Sequence, residues 1–211
     1  YDDYLPDARS GNSNGRTQGG SNSAVVIADA YVKGLEGIDF EEALEAMMKD
    51  ATVPPGGTEE QEGRGGLADY NSIGYVSQNF HRGGTRTVEY AHNDFNIATV
   101  AEGLGKFEIA STYFEQANNW KNLWREISNN GATGFIMPRN ADGSWVDTIN
   151  CDLNDAPQES INYHPLARDW PRCVCWWCGF LYEASSWEYS LFVPHDVTGL
   201  IAKSGGTAFP I

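Results

Sequence analysis

"TRTVEYAHNDFNIATVAEGLG", residues 85–105, is the stretch that decides the fold. Its apolar residues recur at helical spacing, and it closes on two glycines, which are common at the ends of helices. Residues 106–124, "KFEIASTYFEQANNWKNLW", follow directly with a second helical pattern. Because a short connection makes neighbouring helices antiparallel, the two segments predict a helical hairpin. The predicted apolar faces are Val88, Ala91, Phe95, Ala98, Ala101 and Leu104, and then Phe107, Ala110, Phe114, Ala117 and Trp120.

A second hairpin is predicted upstream. The segment "SAVVIADAYVKGL" has helical spacing and Gly34 as a stop, and "DFEEALEAMMKD" follows it. In the latter, Asp39 is a natural N-cap, acidic residues occupy the first turn and Lys49 lies in the last, as the helix dipole favours. Paired helices with long polar loops predict a mainly α fold, either an α/α toroid or a helical repeat. No repeat of fixed period is visible, which disfavours the repeat array.

A little β structure and further helices are expected towards the end of the chain. Residues 134–147, "GFIMPRNADGSWVD", indicate a short extended segment with a turn at Asp142-Gly143. One or two more helices follow, broken at Pro194, and Pro194 is expected to open the last of them. Residues 5–22 are rich in Gly, Ser and Asn and are interpreted as a loop that presents polar groups rather than as a plain linker.

The composition limits the class of function. The chain has 211 residues, 41% of them hydrophobic and 20% charged, which suits one domain or part of a larger one with a packed core. A net charge of −15 argues against nucleic acid or an anionic membrane surface as partner. No apolar run approaches the roughly 20 residues of a membrane span. The polar opening residues indicate an interior start rather than a signal peptide.

The four cysteines lie within one short window of the chain. An even, clustered count favours disulfides formed in an oxidising compartment, which suits a secreted protein. The rival interpretation is a zinc site, because two of the cysteines have zinc-like spacing. A second well-spaced pair is missing, so disulfides are preferred. The candidates are Cys151, Cys173, Cys175 and Cys178.

Two glutamates lie among large aromatic residues in "GFLYEASSWEYSLFVPHD", residues 179–196. Ser185 and Glu188 have capping-box spacing, so Glu188 has a sufficient structural explanation as the residue that closes a helix start. Glu183 precedes the cap and has no such local role. If neighbouring rings enclose it, desolvation raises its pKa and makes it a credible general acid. The alternative is an ordinary surface glutamate.

Other polar residues are weaker candidates. Glu89, His92 and Asp94 lie within two turns of one helix, where they either bind a ligand or make hydrogen bonds that stitch the core. His195 could touch a substrate, although a lone histidine more often bonds to the backbone. Asp196 is interpreted as a first-turn charge.

Five blocks of this sequence resemble the exo-acting α-mannosidases of glycoside hydrolase family 92, and residues 15–22 resemble their fungal branch. The blocks occur in order and span nearly the whole chain. They are "GGSNSAVVIADAYVKG" (19–34), "GRGGLADYNSIGYV" (63–76), "RTVEYAHNDFNIATVAEGLGK" (86–106), "GFIMPRNADGSWVD" (134–147) and "YEASSWEYSLFVPHDVTGLIAKSGG" (182–206).

The resemblance implies an N-terminal β-sandwich followed by an (α/α)6 barrel. It also implies calcium-assisted, inverting release of terminal α-linked mannose, mostly α-1,2-linked, from N-glycan-type or mannan oligosaccharides by a secreted enzyme. Residues 1–211 would form a single partial domain, the first part of the barrel. The sandwich and the rest of the barrel would lie outside this chain, and so would the calcium ligands, none of which is identified.

The resemblance also assigns roles to individual residues. The family's general acid falls on Glu183, and Glu188 would line the same pocket. The resemblance also implies that Arg64, Gln18, Ser21 and Asn22 lie near the terminal mannose. Trp187 and His195 are further candidates for substrate binding, independent of the resemblance.

One departure from the family pattern leaves an alternative open. The family's general base is an aspartate in a downstream block that nothing here matches, so this chain would hold the acid half of a two-carboxylate site. A non-catalytic module that binds mannose without cleaving it is therefore the second hypothesis. A helical scaffold without a ligand is the third. The expected partners are a mannose-containing oligosaccharide and the remaining segments of the same enzyme.

Overall fold

A computed structural model gives the fold of this chain. It describes residues 4–5, 22–54, 63–151, 159–162, 179–182 and 184–206, except for the side chains of 148–151 and 159–162. The helices in this part are α1 (Ser23–Val32), α2 (Phe40–Thr52), α3 (Leu67–Ile73), α4 (Gly83–Gly103), α5 (Phe107–Gln116), α6 (Ser186–Tyr189) and α7 (Val197–Lys203). The strands are β1 (Trp124–Asn129), β2 (Ala132–Ile136), β3 (Thr148–Cys151) and β4 (Glu159–Asn162).

Helices α1 and α2 form the predicted upstream hairpin. The Asp39 carboxylate accepts hydrogen bonds from the backbone N–H groups of Glu41 and Glu42, both at 3.1 Å, and so satisfies two donors at the start of α2. Lys49 lies in its last turn, as expected. The connection contains Gly34 and Gly37, both with positive φ. The buried faces of the two helices pack against α4 and α5.

Helix α4 is the centre of the described structure. Its 21 residues span roughly 30 Å, and it contacts α1, α2, α5 and the segment after α5. Four residues of the predicted apolar face are buried and two are half-buried, the latter being Phe95 and Leu104. Burial also extends round most of the helix and includes polar residues. Those polar residues are Thr85, Arg86, Thr87, Asn93 and Asp94. The polar side chains of a helix that is enclosed on nearly all sides must bond to other buried groups of the protein. Buried ion pairs are therefore expected along α4.

Helix α5 ends earlier than its sequence pattern predicts. The predicted stripe extends to Trp120, whereas α5 stops at Gln116 and a 3₁₀ turn covers Asn119–Leu123. The Asn118 side chain donates to the Phe114 carbonyl at 2.9 Å, which offers the backbone an alternative to continued helix. Trp120 is nevertheless fully buried, so its place in the core was predicted correctly and its helical setting was not.

The β structure consists of two antiparallel pairs in the described part of the chain. Strands β1 and β2 pair from Trp124↔Ile136 to Asn129↔Ala132 with an irregularity in between. Their turn at Asn130-Gly131 has φ values of 48° and 86°, as a type I′ turn requires. Strands β3 and β4 form the second pair. The expected turn at Asp142-Gly143 is also present, because the Asp142 carboxylate accepts from the Ser144 N–H at 2.9 Å.

The mainly α prediction is confirmed, with differences at short elements. Helix α3 and strand β1 were not predicted. Helix α7 begins at Val197, after Asp196 as its N-cap, rather than at Pro194. No helix among the described residues is long and apolar enough to cross a membrane.

Candidate functional site

An open pocket of about 270 Å³ lies between α4 and α6. Its volume suits one sugar ring. Two carboxylates and two aromatic rings line it together with one small residue. These residues are Glu89, Ala184, Glu188, Tyr189 and Phe192. Rings that stack on apolar sugar faces, combined with carboxylates that accept from hydroxyl groups, are typical of a carbohydrate site.

The start of α4 binds the segment 179–182, which lies shortly before the pocket residue Ala184 in the chain. The Gly84 N–H donates to the Phe180 carbonyl at 3.0 Å, and the Tyr182 N–H donates to Thr85 Oγ1 at 2.7 Å. A Cβ at Gly84 would lie 2.3 Å from the Phe180 ring, so only glycine permits this approach. Residue 182 is therefore bound to α4, and residue 184 lines the pocket.

Glu188 has the structural role that its spacing predicts. The Ser185 N–H donates to Glu188 Oε2 at 2.7 Å, and the Ser185 hydroxyl donates to the same oxygen at 2.9 Å. The half of the capping box in which the Glu188 carboxylate accepts from the Ser185 N–H is therefore present. Glu188 also lines the pocket, so one carboxylate starts α6 and faces the space where a ligand fits.

His195 makes the backbone contact that is usual for a lone histidine. Its Nε2 lies 2.9 Å from the Ala117 carbonyl oxygen, and its ring stacks on His92 with centroids 5.6 Å apart. Burial lowers the pKa of His195, and burial together with the charge of His195 lowers the pKa of His92 to about 4. His92 meets the Phe192 ring edge-on, so the stacked pair packs behind a residue that lines the pocket.

Arg64 and Asp94 form a buried ion pair. Arg64 Nη1 lies 2.7 Å from Asp94 Oδ1, and the Tyr70 hydroxyl donates to Asp94 Oδ2 at 2.7 Å. Burial raises the pKa of the Asp94 carboxyl, and these two partners oppose that shift. Asp94 therefore makes the core-stitching bonds that were one of its two predicted roles, and its binding of a ligand stays a prediction. The guanidinium of Arg64 lies over the Tyr90 ring at 4.9 Å, and its contact with a sugar remains a prediction.

Trp187 and Asn22 are not among the described residues that line this pocket. The Trp187 indole N–H donates to Asn129 Oδ1 at 3.0 Å, and its ring packs on Phe135 with centroids 5.0 Å apart. Asn22 is the N-cap residue of α1, and its carbonyl accepts from the Val25 N–H at 3.0 Å. The substrate contacts expected of both residues remain predictions.

Several predicted residues lie outside the described residues. They are Glu183, Gln18, Ser21, Cys173, Cys175 and Cys178. The backbone of Cys151 ends β3, but its side chain is not described. Glu183 stands in sequence between Tyr182, which bonds to α4, and Ala184, which lines the pocket. The cysteine pairing and the roles of these residues remain predictions.

The part of the chain with described side chains has no group of three or more His, Cys, Asp or Glu residues that could hold a metal ion. Glu89 and Glu188 offer the oxygen ligands that calcium prefers, yet calcium normally takes six to eight. The described residues therefore do not form a complete calcium site by themselves.

Sequence reasoning underrated Glu89 and missed the residues that hold α6. Glu89 was one of three polar residues on a single helix, and nothing in its spacing selects it. Glu89 lines the pocket because α6 packs across α4, and this is a tertiary contact that the sequence does not reveal. The serine pair Ser186 and Ser190, one helical turn apart, was the available signal for a buried helix face.

Comparison with known proteins identifies the family. A model of the glycosyl hydrolase family 92 catalytic domain matches residues 1–209. An uncharacterized secreted glycosidase of Arthroderma benhamiae is 37% identical in a match 222 residues long. The match covers 96% of this chain and 27% of the relative.

Solved structures agree with that match. An inverting mannosidase of family 92 from Bacteroides thetaiotaomicron has a TM-score of 0.76 at 30% identity, over 96% of this chain and 24% of that one. A family 92 α-mannosidase from the same organism, in complex with mannoimidazole, has a TM-score of 0.68 at 26% identity, over 89% and 21%. This chain thus spans about a quarter of the length of these relatives. The fold is part of an α/α toroid, as predicted.

Proposed function

This chain belongs to glycosyl hydrolase family 92, and on that premise we propose that it forms the first part of the catalytic barrel of a secreted α-mannosidase. The enzyme removes terminal α-linked mannose, mostly α-1,2-linked, from N-glycan-type or mannan oligosaccharides. Residues 1–211 act as one partial domain, and the remaining segments of the enzyme complete the site. The secreted location is carried over from the Arthroderma relative.

The pocket between α4 and α6 carries this proposal. It combines Glu89 and Glu188 with the rings of Tyr189 and Phe192 in a space of about 270 Å³. Ala184 forms part of its lining, and Glu183 precedes Ala184 directly in the chain. A glutamate next to a sugar-sized pocket with aromatic walls is placed well in sequence to act as general acid.

Glu183 donates its proton to the glycosidic oxygen as the bond between that oxygen and the anomeric carbon breaks. Water attacks the anomeric carbon from the opposite face, and an aspartate outside this chain accepts the water proton. The two carboxyl groups of an inverting enzyme lie roughly 6.5–9.5 Å apart, which leaves room for that water. Glu188 and Glu89 accept hydrogen bonds from sugar hydroxyl groups.

The other predicted residues are expected to contact the substrate. Trp187, Arg64, Gln18, Ser21, Asn22 and His195 lie near the terminal mannose in the complete site. Calcium is implied by the family resemblance. It would be held largely by residues outside this chain, where it would help to distort the mannose ring.

Sugar release and sugar binding together test the proposal. The complete enzyme that contains this chain is incubated with α-1,2-mannobiose, and the released mannose is followed by proton NMR. We expect β-mannose to form first and then to mutarotate, because inversion converts an α-linkage into a β-product. Release of α-mannose first would contradict inversion.

The same preparation separates an enzyme from a binding module. Isothermal calorimetry with mannose measures binding independently of turnover. Binding without any release of mannose would support the non-catalytic alternative and overturn the proposed activity. Neither binding nor release would favour the helical scaffold.

A further inference from the structure

Helix α6 is too short to fix its own side chains. It contains four residues, Ser186–Tyr189. Single turns of helix are unstable in water, because nucleation costs more than one or two hydrogen bonds return. Yet α6 brings Glu188 and Tyr189 to the pocket. Their positions must therefore depend on contacts between α6 and the rest of the molecule.

The end of strand β2 supplies those contacts through two buried hydroxyl groups. The Ile136 N–H donates to Ser190 Oγ at 2.8 Å, and the Ser186 hydroxyl donates to the Ile136 carbonyl at 2.6 Å. The Ser190 hydroxyl in turn donates to the Ser186 carbonyl. The three residues have no exposed surface. We call this closed set of bonds the serine clamp.

The serine clamp binds residues in and directly after α6 that do not line the pocket. Trp187 reinforces it by donating to Asn129 at the end of β1. Residues 186, 187 and 190 thus bind the β1–β2 hairpin, while residues 188 and 189 line the pocket. Buried hydrogen bonds with no access to water are costly to break. The clamp therefore holds α6 in a single orientation relative to the β1–β2 hairpin.

We propose that Ser186 and Ser190 are positioning residues, which fix Glu188 and Tyr189 at the pocket by tying α6 to the end of β2. Neither serine lines the pocket, so each acts through its neighbours on α6. This inference rests on the proposed function for its consequence in catalysis. Its structural part does not, because it concerns how α6 is held.

The test compares Ser190→Ala with Ser77→Ala in the complete enzyme. Ser77 is a matched control, because it is also fully buried and its Oγ accepts from the Asn79 N–H at 3.3 Å, but it belongs to the loop before α4. Both changes remove one buried hydroxyl group. Only Ser190→Ala opens the clamp.

Two measurements are made on each variant. Hydrogen exchange at the amides of Glu188, Tyr189 and Ser190 should accelerate at least about tenfold in Ser190→Ala and stay unchanged in Ser77→Ala. With α-1,2-mannobiose, Ser190→Ala should lower kcat/KM about 10- to 100-fold, mainly through a higher KM, because a loosened site binds sugar less well. Partial unfolding alone would lower the apparent kcat and leave KM unchanged.

The outcomes separate this inference from the proposed function. If the wild-type enzyme releases no mannose, the proposed function fails, and hydrogen exchange still tests the clamp. Equal exchange at α6 and equal KM in the two serine variants would overturn the inference. A Ser190→Ala variant too unstable to assay is replaced by Ser186→Ala, for which the same exchange and KM results are expected.

Discussion

Asp94 has no exposed surface and holds two partners, Arg64 and Tyr70. The pair joins residues 30 positions apart, from the segment before α3 to the middle of α4. A buried ion pair adds little net stability, but removing one partner leaves an uncompensated charge in a medium of low dielectric. The segment that carries Arg64 therefore depends on Asp94.

Asp94→Asn should lower the free energy of unfolding by about 3–5 kcal/mol, because the Arg64 charge then lacks its counter-ion. Denaturant titration followed by circular dichroism measures the change. Asp29→Asn is the matched control, since Asp29 pairs with Lys33 at the same 2.7 Å but with both side chains more than half exposed. The control should lose less than about 1 kcal/mol. Equal losses in the two variants would contradict the role given to burial.

The sequence predicts that α4 carries polar residues on one face, but it does not predict which residues pair with them. Tyr90 and Asp94 share one helix face by their spacing alone. Whether such a face binds a ligand or stitches the core depends on Arg64, which lies across a loop and another helix. Periodicity describes the positions within one helix. It does not identify a side chain from another segment that contacts the helix in the folded protein.

Among the elements, those with strong local signals were predicted and the short ones were not. Asp39 at its N-cap and the apolar spacing of residues 85–105 located α2 and α4. The β1–β2 hairpin was missed, although Asn130-Gly131 is a strong type I′ signal. Helix α6 was located by its capping box, but the face that binds β2 follows only from tertiary packing.

The contact between α4 and the start of α7 should make stability depend on pH. His92 and His195 stack there, and Asp94, Asp196 and Lys121 act on His195. The pKa of His92 falls to about 4 on folding, so below its usual pKa of about 6.5 the unfolded chain binds a proton that the folded chain does not. Stability from this group is thus complete above about pH 6.5 and is lost as the pH falls towards 4.

His92→Gln isolates this effect, because it removes the titrating ring from α4. The wild type should lose about 1–2 kcal/mol more than the variant between pH 6.5 and 4.5, allowing for the partial exposure of His92. Denaturant titrations at half-unit pH intervals measure both curves. Parallel curves would show that His92 does not carry the effect.

At the scale of the whole molecule, the chain supplies about a quarter of the length of its family 92 relatives. Its described helices pack round α4, and its pocket is lined in part by Ala184, the residue that follows Glu183 in the sequence. The family and the helical architecture followed from five sequence blocks in order. The general base could not be predicted, because no residue here matches it.

The central claim is that Glu183 protonates the leaving group, and replacing it tests that claim most directly. Glu183→Gln in the complete enzyme should lower kcat for α-1,2-mannobiose about 10²- to 10⁴-fold. It should affect a 2,4-dinitrophenyl α-mannoside far less, because that leaving group needs no proton. Glu102→Gln, at an exposed position of α4, is the control and should match the wild type. Unchanged turnover of mannobiose by Glu183→Gln would contradict the account.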